Sequence, residues 1–279
     1  MTMNANAPMQ FPSKIMHING IALNVIDVGS GTPVLLLHGF PDTHAVWRKQ
    51  IAPLVAAGYR VIAPDTRGCG DSELLPRVAD YRMEHLIADQ AALLDALGLE
   101  KAKLVAHDWG AVIGWQFLMA HPQRVERYIA LSVGHPSAYG NGGIAQKLKG
   151  FYIALFQLRG LAEWGLKLAG WRLFDLFTAF PEEWPHWRRA LARPGRLTAG
   201  INYYRANLYL VLPRSYPRVA VPVTGIYSDG DRYLTEKQMT TSARYCDAGF
   251  RYLKVAGANH WMQLHKPDQV TALILDALR

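Results

Sequence analysis

Cysteine is nearly absent from the chain: Cys69 and Cys246 are the only two in 279 residues. Neither has the neighbours of a disulfide framework, a metal site or a redox pair, so a reducing, cytoplasmic compartment is the simplest expectation. Long apolar runs are missing as well. The most hydrophobic stretch is broken by Arg172, Asp175 and Pro181, short of the ~20 uninterrupted apolar residues that span a bilayer. Met1 to Pro12 lacks the basic start and apolar centre of a secretory signal and is expected to form a loose tail. A soluble protein with no membrane partner follows. The arginines behind the formal charge of +8, Arg188, Arg189, Arg193, Arg196, Arg214 and Arg218 among them, are scattered and belong to no recognisable binding motif. A nucleic-acid partner is therefore not expected. Internal repeats and low-complexity linkers are also missing.

What the chain does have is apolar residues, half of its composition, enough to bury a large core in one domain with room for an insertion. Lys14 to Val28 alternates apolar and polar residues around Asn19-Gly20, the dipeptide of a tight two-residue hairpin. Continuous apolar runs follow at Pro33–Leu37, Tyr59–Ala63, Lys103–Ala106, Tyr128–Ser132 and Val221–Tyr227, as suits strands buried on both faces. Helical patterns lie between several of them, such as Met83 to Leu97 ended by Gly98, and Val270 to Leu278 closes the chain. The alternation predicts an α/β fold with a mainly parallel, doubly wound sheet after an N-terminal β-hairpin. The rhythm breaks at 136–216, where aromatics recur at helical spacing without a convincing strand. This segment is expected to be a helical cap inserted into a core made of 1–135 and 217–279.

Chemistry concentrates at the ends of the predicted strands, where open α/β sheets gather functional groups. Ala106-His107-Asp108-Trp109-Gly110 joins a strand to a helix in the pattern small-x-nucleophile-x-small, in which a sharp turn lifts the central side chain into a cleft. Asp108 occupies the place of the usual serine. An aspartate before a helix also serves as an ordinary N-cap. Here, however, His38-Gly39-Phe40-Pro41 follows an earlier strand, Asp231 a later one, and His260 the last. Nucleophile, acid and histidine thus come in the order of the α/β-hydrolases. A carboxylate is ionised at neutral pH and attacks without a base; its natural target is an sp3 carbon bearing a leaving group.

Taken together, Gly39-Phe40-Pro41, Arg67-Gly68-Cys69-Gly70-Asp71-Ser72, His107-Asp108-Trp109-Gly110, Asn202-Tyr203-Tyr204-Arg205, Gly230-Asp231 and His260-Trp261 with Lys266-Pro267 resemble the signatures of the epoxide hydrolase branch of the α/β-hydrolase superfamily. The resemblance runs over nearly the whole chain. It implies that Asp108 forms an alkyl ester and that backbone N–H groups of Phe40 and Trp109 make the oxyanion hole. It further implies that His260, oriented by Asp231, activates the hydrolytic water. Asp229 is a less fitting acid, and Ser132-Val133-Gly134-His135, the other place for one, offers no carboxylate. The tyrosine before the arginine, Tyr204, is implied as the proton donor to the epoxide oxygen. Tyr203 points about 100° away on a helix, so one of the pair serves and the other packs; Tyr204 is expected to share its helical face with Ile201, Leu208 and Val211.

The second tyrosine common in the family is displaced here. Leu155 falls at its position, with Tyr152 one helical turn away as candidate replacement. His38, Pro41, His107, Tyr203, Leu155 and Trp261 complete the expected substrate pocket. The implied substrate is a small apolar or aromatic epoxide together with water, and no metal or other cofactor is implied. Monomer and homodimer stay equally open. A haloalkane dehalogenase is the alternative, with Trp109 as one halide donor and Trp164, Trp171, Trp184 or Trp187 as the second. A non-catalytic ligand-binding protein of the same fold is a further alternative, against which the intact Asp108, Asp231 and His260 argue.

Overall fold

The computed structural model describes residues 11–279; residues 1–10, most of the expected tail, lie outside it. Eight strands form one sheet: β1 (Ser13–Ile18), β2 (Ile21–Val28), β3 (Thr32–Leu37), β4 (Tyr59–Pro64), β5 (Ala102–His107), β6 (Val125–Leu131), β7 (Val223–Ser228) and β8 (Phe250–Val255). Their order is β1-β2-β4-β3-β5-β6-β7-β8. β1 and β2 are antiparallel, as are β2 and β4, while the other pairs are parallel.

The hairpin closes with Ile18 opposite Ile21. Asn19 and Gly20 both take positive φ, 50° and 77°, the geometry whose twist matches that of paired strands. Every residue of β5 and β7 is buried, which explains why these strands read as unbroken apolar runs. The Met83–Ala96 helix ends as its sequence suggests. Gly98 at φ 66° lets its own N–H reach the Asp95 carbonyl and the Leu99 N–H reach that of Leu94. The Trp109–Ala120 helix runs from β5, and the Pro267–Leu278 helix closes the fold.

Between β6 and β7 the chain is helical, with helices Pro136–Gly140, Gly143–Lys149, Tyr152–Phe156, Leu161–Thr178, Trp184–Ala192 and Arg196–Ala206. Leu161–Thr178 is broken in its middle, where Ala169, Gly170 and Trp171 take positive φ. The helix carrying Tyr204 is shorter than expected. It stops at Ala206, and Leu208–Val211 forms a separate 3-10 turn. Asn207 makes the break: its amide donates to the carbonyls of Tyr81 and Tyr203 and its oxygen accepts from Met83 N–H, all within 2.8–2.9 Å. These bonds tie the insert to the core just below Tyr204.

Candidate active site

Asp108 sits between β5 and the Trp109–Ala120 helix with φ 52° and ψ −123°, a conformation that costs a non-glycine residue free energy and aims its side chain out of the turn. Two small neighbours permit this. A Cβ on Gly110 would stand 2.3 Å from the Leu37 carbonyl oxygen, and one on Gly39 would stand 2.2 Å from Asp108 Oδ1. With Gly39 bare, the Phe40 N–H donates to Oδ1 at 2.7 Å, and the neighbouring Trp109 backbone N–H helps to lower the carboxyl pKa. Burial alone would raise the Asp108 pKa, but the hydrogen bond and charge of His260 outweigh it and hold the carboxyl below its usual value.

His260, beyond β8, turns its two ring nitrogens to two carboxylates. Nδ1 meets Asp231 Oδ2 at 2.7 Å, and Nε2 lies 3.5 Å from Asp108 Oδ2. Asp231 is held in turn by the N–H groups of Tyr233 and Leu234, which donate to its Oδ1 at 2.8 and 3.0 Å. Desolvation pulls the His260 pKa down, yet the charge of Asp231 and the bond and charge of Asp108 overcome it and raise it to about 10. Asp229, the less fitting acid, is exposed and accepts from Gly257 N–H instead.

Above these groups lies a cleft with about 70 Å³ of open space, lined by Asp108, Trp109, Tyr139, Tyr152, Tyr204 and Tyr233 with apolar side chains around them. It suits a small ligand of mostly apolar surface. A smaller, tightly packed chamber with about 10 Å³ of open space brings Asp108 and His260 together with Phe40, Tyr152, Phe177, Tyr204, Tyr233 and Trp261. Tyr152 and Tyr204 therefore face the same space as the carboxylate, their rings 5.8 Å apart. Burial raises both phenol pKa values well above the ordinary value, and the Asp108 charge adds to this, so both are protonated donors at neutral pH. Among the described residues, no group of three or more His, Cys, Asp or Glu side chains is disposed to hold a metal ion.

Several expected pocket residues lie elsewhere. Tyr203 points away, its hydroxyl donating to the Arg67 carbonyl at 2.7 Å and lying 3.0 Å from Thr66 Oγ1. Leu155 is half exposed, on the outer side of its short helix, because Tyr152, Ile153 and Phe156 take the inner side. His38 is buried behind the Gly39–Pro41 loop; its Nδ1–H donates to Gly39 O and its Nε2 accepts from Thr66 N–H, both at 2.9 Å. His107 lies behind His260, donating from Nε2 to the His260 carbonyl at 3.0 Å, and desolvation lowers its pKa to about 3. Pro41 opens onto a separate surface cavity with Asp42 and His44. Trp261 does reach the chamber and stands edge-on to His260 at 5.0 Å.

Two features escaped sequence reasoning. Tyr233, two residues beyond Asp231, lines both cavities and stands 4.9 Å from the His260 ring; its place in the Gly230–Leu234 motif was the available signal. Asp42, next after the Gly39–Pro41 loop, is a buried carboxylate clamped by indole N–H groups of Trp187 at 2.7 Å and Trp261 at 2.9 Å. Burial still pushes its pKa up to about 7. No local pattern around Asp42 points to this clamp, since its partners lie 145 and 219 residues away.

The comparisons with known proteins agree with the fold. Residues 32–267 match the alpha/beta hydrolase fold family, and the chain belongs to it. It is 35% identical over 281 residues to the AB hydrolase superfamily protein YfhM of Bacillus subtilis, covering 95% of this chain and 97% of that one. It is 31% identical to epoxide hydrolase A of Mycobacterium tuberculosis, covering 95% and 96%. Among solved structures, epoxide hydrolase A from Mycobacterium thermoresistibile superposes with a TM-score of 0.83 at 29% identity, covering 96% of this chain and 98% of that one.

Proposed function

We propose that the chain is an epoxide hydrolase that converts small apolar or aromatic epoxides to vicinal diols through an ester of Asp108. The observation that carries this reading is the shared chamber: one carboxylate and one histidine on the core side, two protonated tyrosines from the insert. Asp108 Oδ1 is held by the Phe40 N–H, which leaves Oδ2 to attack a ring carbon. As the carbon–oxygen bond breaks, Tyr204, assisted by Tyr152, gives its proton to the departing oxygen. The product is a hydroxyalkyl ester whose carbonyl oxygen already rests on Phe40 N–H, with the Trp109 N–H beside it as second donor to the oxyanion.

The second step follows from the charges. In the free site two carboxylates hold a proton on His260. Esterification removes the Asp108 charge, so the ring gives up that proton, which restores the Tyr204 phenolate left by ring opening, and the neutral imidazole, steadied by Asp231, can then take a proton from water. Water attacks the ester carbonyl, the oxyanion forms in the hole, and collapse releases diol and restores Asp108.

The residues around the site speak against dehalogenation. Trp184 and Trp187 spend their indole N–H groups on Thr178 and Asp42, Trp164 is exposed, and Trp171 lines neither cavity that contains Asp108. The deciding experiment is a single turnover of a terminal aromatic epoxide in heavy-oxygen water. The label is expected in the Asp108 carboxyl and not in the first diol formed, whereas label in that diol would rule out the ester. His260→Gln is expected to form the ester and then stall, so intact-protein mass should rise by the mass of the epoxide.

A further inference from the structure

The outer side of the insert is unlike the rest of the surface. From Gly143 to Thr178 the chain exposes Ile144, Leu148, Phe151, Leu158, Leu161 and Trp164, each more than half accessible to solvent. Scattered apolar side chains on a surface are ordinary, but so many large ones exposed within about two dozen residues of chain are the material of an interaction surface. The same short helices are apolar on their inner side, where Tyr152, Ile153 and Phe156 pack toward the cleft and chamber. The core has therefore already taken its share of this segment, and the outer residues have no partner among the described residues.

Charge indicates what covers them. Exposed among these side chains are Lys147, Arg159, Lys167 and Arg172. The segment's two acids are both engaged inward: Glu163 pairs with Arg205 and Asp175 with Arg188. The segment thus exposes leucines, an isoleucine, a phenylalanine and a tryptophan interleaved along the chain with cations, and both of its own carboxylates are paired. An isologous contact between two copies would set these cations against their own equivalents with nothing to neutralise them. An anionic lipid surface satisfies both halves of the pattern. Its phosphates take the lysines and arginines, its acyl boundary takes the leucines and Phe151, and Trp164 has the amphipathic ring favoured at that depth.

We propose that this face of the insert docks the protein reversibly on anionic membranes, lying in the interface without crossing it. This departs from the expectation, drawn from the lack of a spanning segment, that no membrane is engaged. Among the described residues no helix is long and apolar enough to cross a membrane, and interfacial docking needs none.

Vesicle flotation of the full chain tests the proposal. The protein should float with phosphatidylcholine vesicles containing phosphatidylserine, and about tenfold less with phosphatidylcholine alone or in high salt. Leu148→Glu/Phe151→Glu should lower binding about tenfold or more, with an unchanged thermal midpoint as evidence of folding. The combined Lys147→Gln, Arg159→Gln, Lys167→Gln and Arg172→Gln variant, which leaves the apolar residues in place, should lose the preference for phosphatidylserine. Failure of the unmodified chain to float with either vesicle overturns the proposal, as does undiminished binding by both variants. Light scattering that shows a dimer dissociated by the Leu148/Phe151 variant, with no vesicle binding, overturns it in favour of contact between copies. None of these readouts depends on catalytic turnover.

Discussion

His260 Nε2 lies 3.5 Å from Asp108 Oδ2, whereas its Nδ1 lies only 2.7 Å from Asp231 Oδ2. The ring is anchored on Asp231 and stands off Asp108, which leaves Asp108 Oδ2 without a close partner on the chamber side. The two carboxylates nonetheless raise the His260 pKa from 6.5 to about 10. A raised native pKa means that the native state binds the proton more tightly than the unfolded chain. The resulting stabilisation is complete below about pH 6.5 and is lost as pH rises toward about 10. The thermal midpoint of the unmodified protein should therefore fall over that range more steeply than that of His260→Gln. Parallel curves for the two proteins would contradict the assignment.

The two tyrosines of the insert make the clearest catalytic prediction. The Tyr152→Phe/Tyr204→Phe double variant should open epoxides about a hundredfold more slowly or worse, each single variant less so. Tyr203→Phe should keep turnover and instead lose about 1 kcal/mol of stability with the hydroxyl bond to Arg67. Steady-state kinetics beside denaturant unfolding separates the two effects. A turnover loss in Tyr203→Phe matching that of Tyr204→Phe would reverse the choice of donor.

Gly39→Ala adds one carbon where Asp108 Oδ1 already stands, 2.2 Å away. Either the loop or the carboxylate must move, and the 2.7 Å bond from Phe40 N–H is lost in both cases. Turnover should fall by about 100-fold or more while the far-UV circular dichroism stays unchanged. Full activity in this variant would show that the oxyanion contact is dispensable.

Arg205 grips Glu163 with two parallel hydrogen bonds of 2.7 and 3.0 Å and also donates to the Phe156 carbonyl at 2.8 Å. It therefore ties the helix of Tyr204 to the segment that carries Tyr152. Burial alone would raise the Glu163 pKa, but the Arg205 bonds keep it lowered. Arg205→Ala should cost about 3–5 kcal/mol in urea unfolding, since it strands a partly buried carboxylate. Arg205→Lys should recover only part of this, because an ammonium cannot make the paired bonds.

The hairpin at Asn19-Gly20, the parallel strands and the turn at Asp108 were legible because each depends on local chemistry: two positive φ angles, apolar runs, small residues flanking a bend. The pocket was legible only in part. Tyr204 and Tyr203 are neighbours in one motif, and which of them faces Asp108 depends on Thr66 and Arg67, more than 130 residues earlier in the chain, which take the Tyr203 hydroxyl. Leu155 and His38 belong to recognisable motifs yet face solvent and the loop interior, because side-chain direction in short helices and turns is set by what packs against them.

By itself, then, the sequence determined the order of strands and helices and the residue at the elbow, since periodicity and turn geometry act over a few residues. Only the tertiary structure decided which tyrosines share the chamber with Asp108, that Tyr233 and the Asp42 clamp brace the histidine end of the site, and that one side of the insert stays apolar and cationic in solvent. These relations join residues far apart in the chain, and only burial in the folded protein brings them within reach of one another.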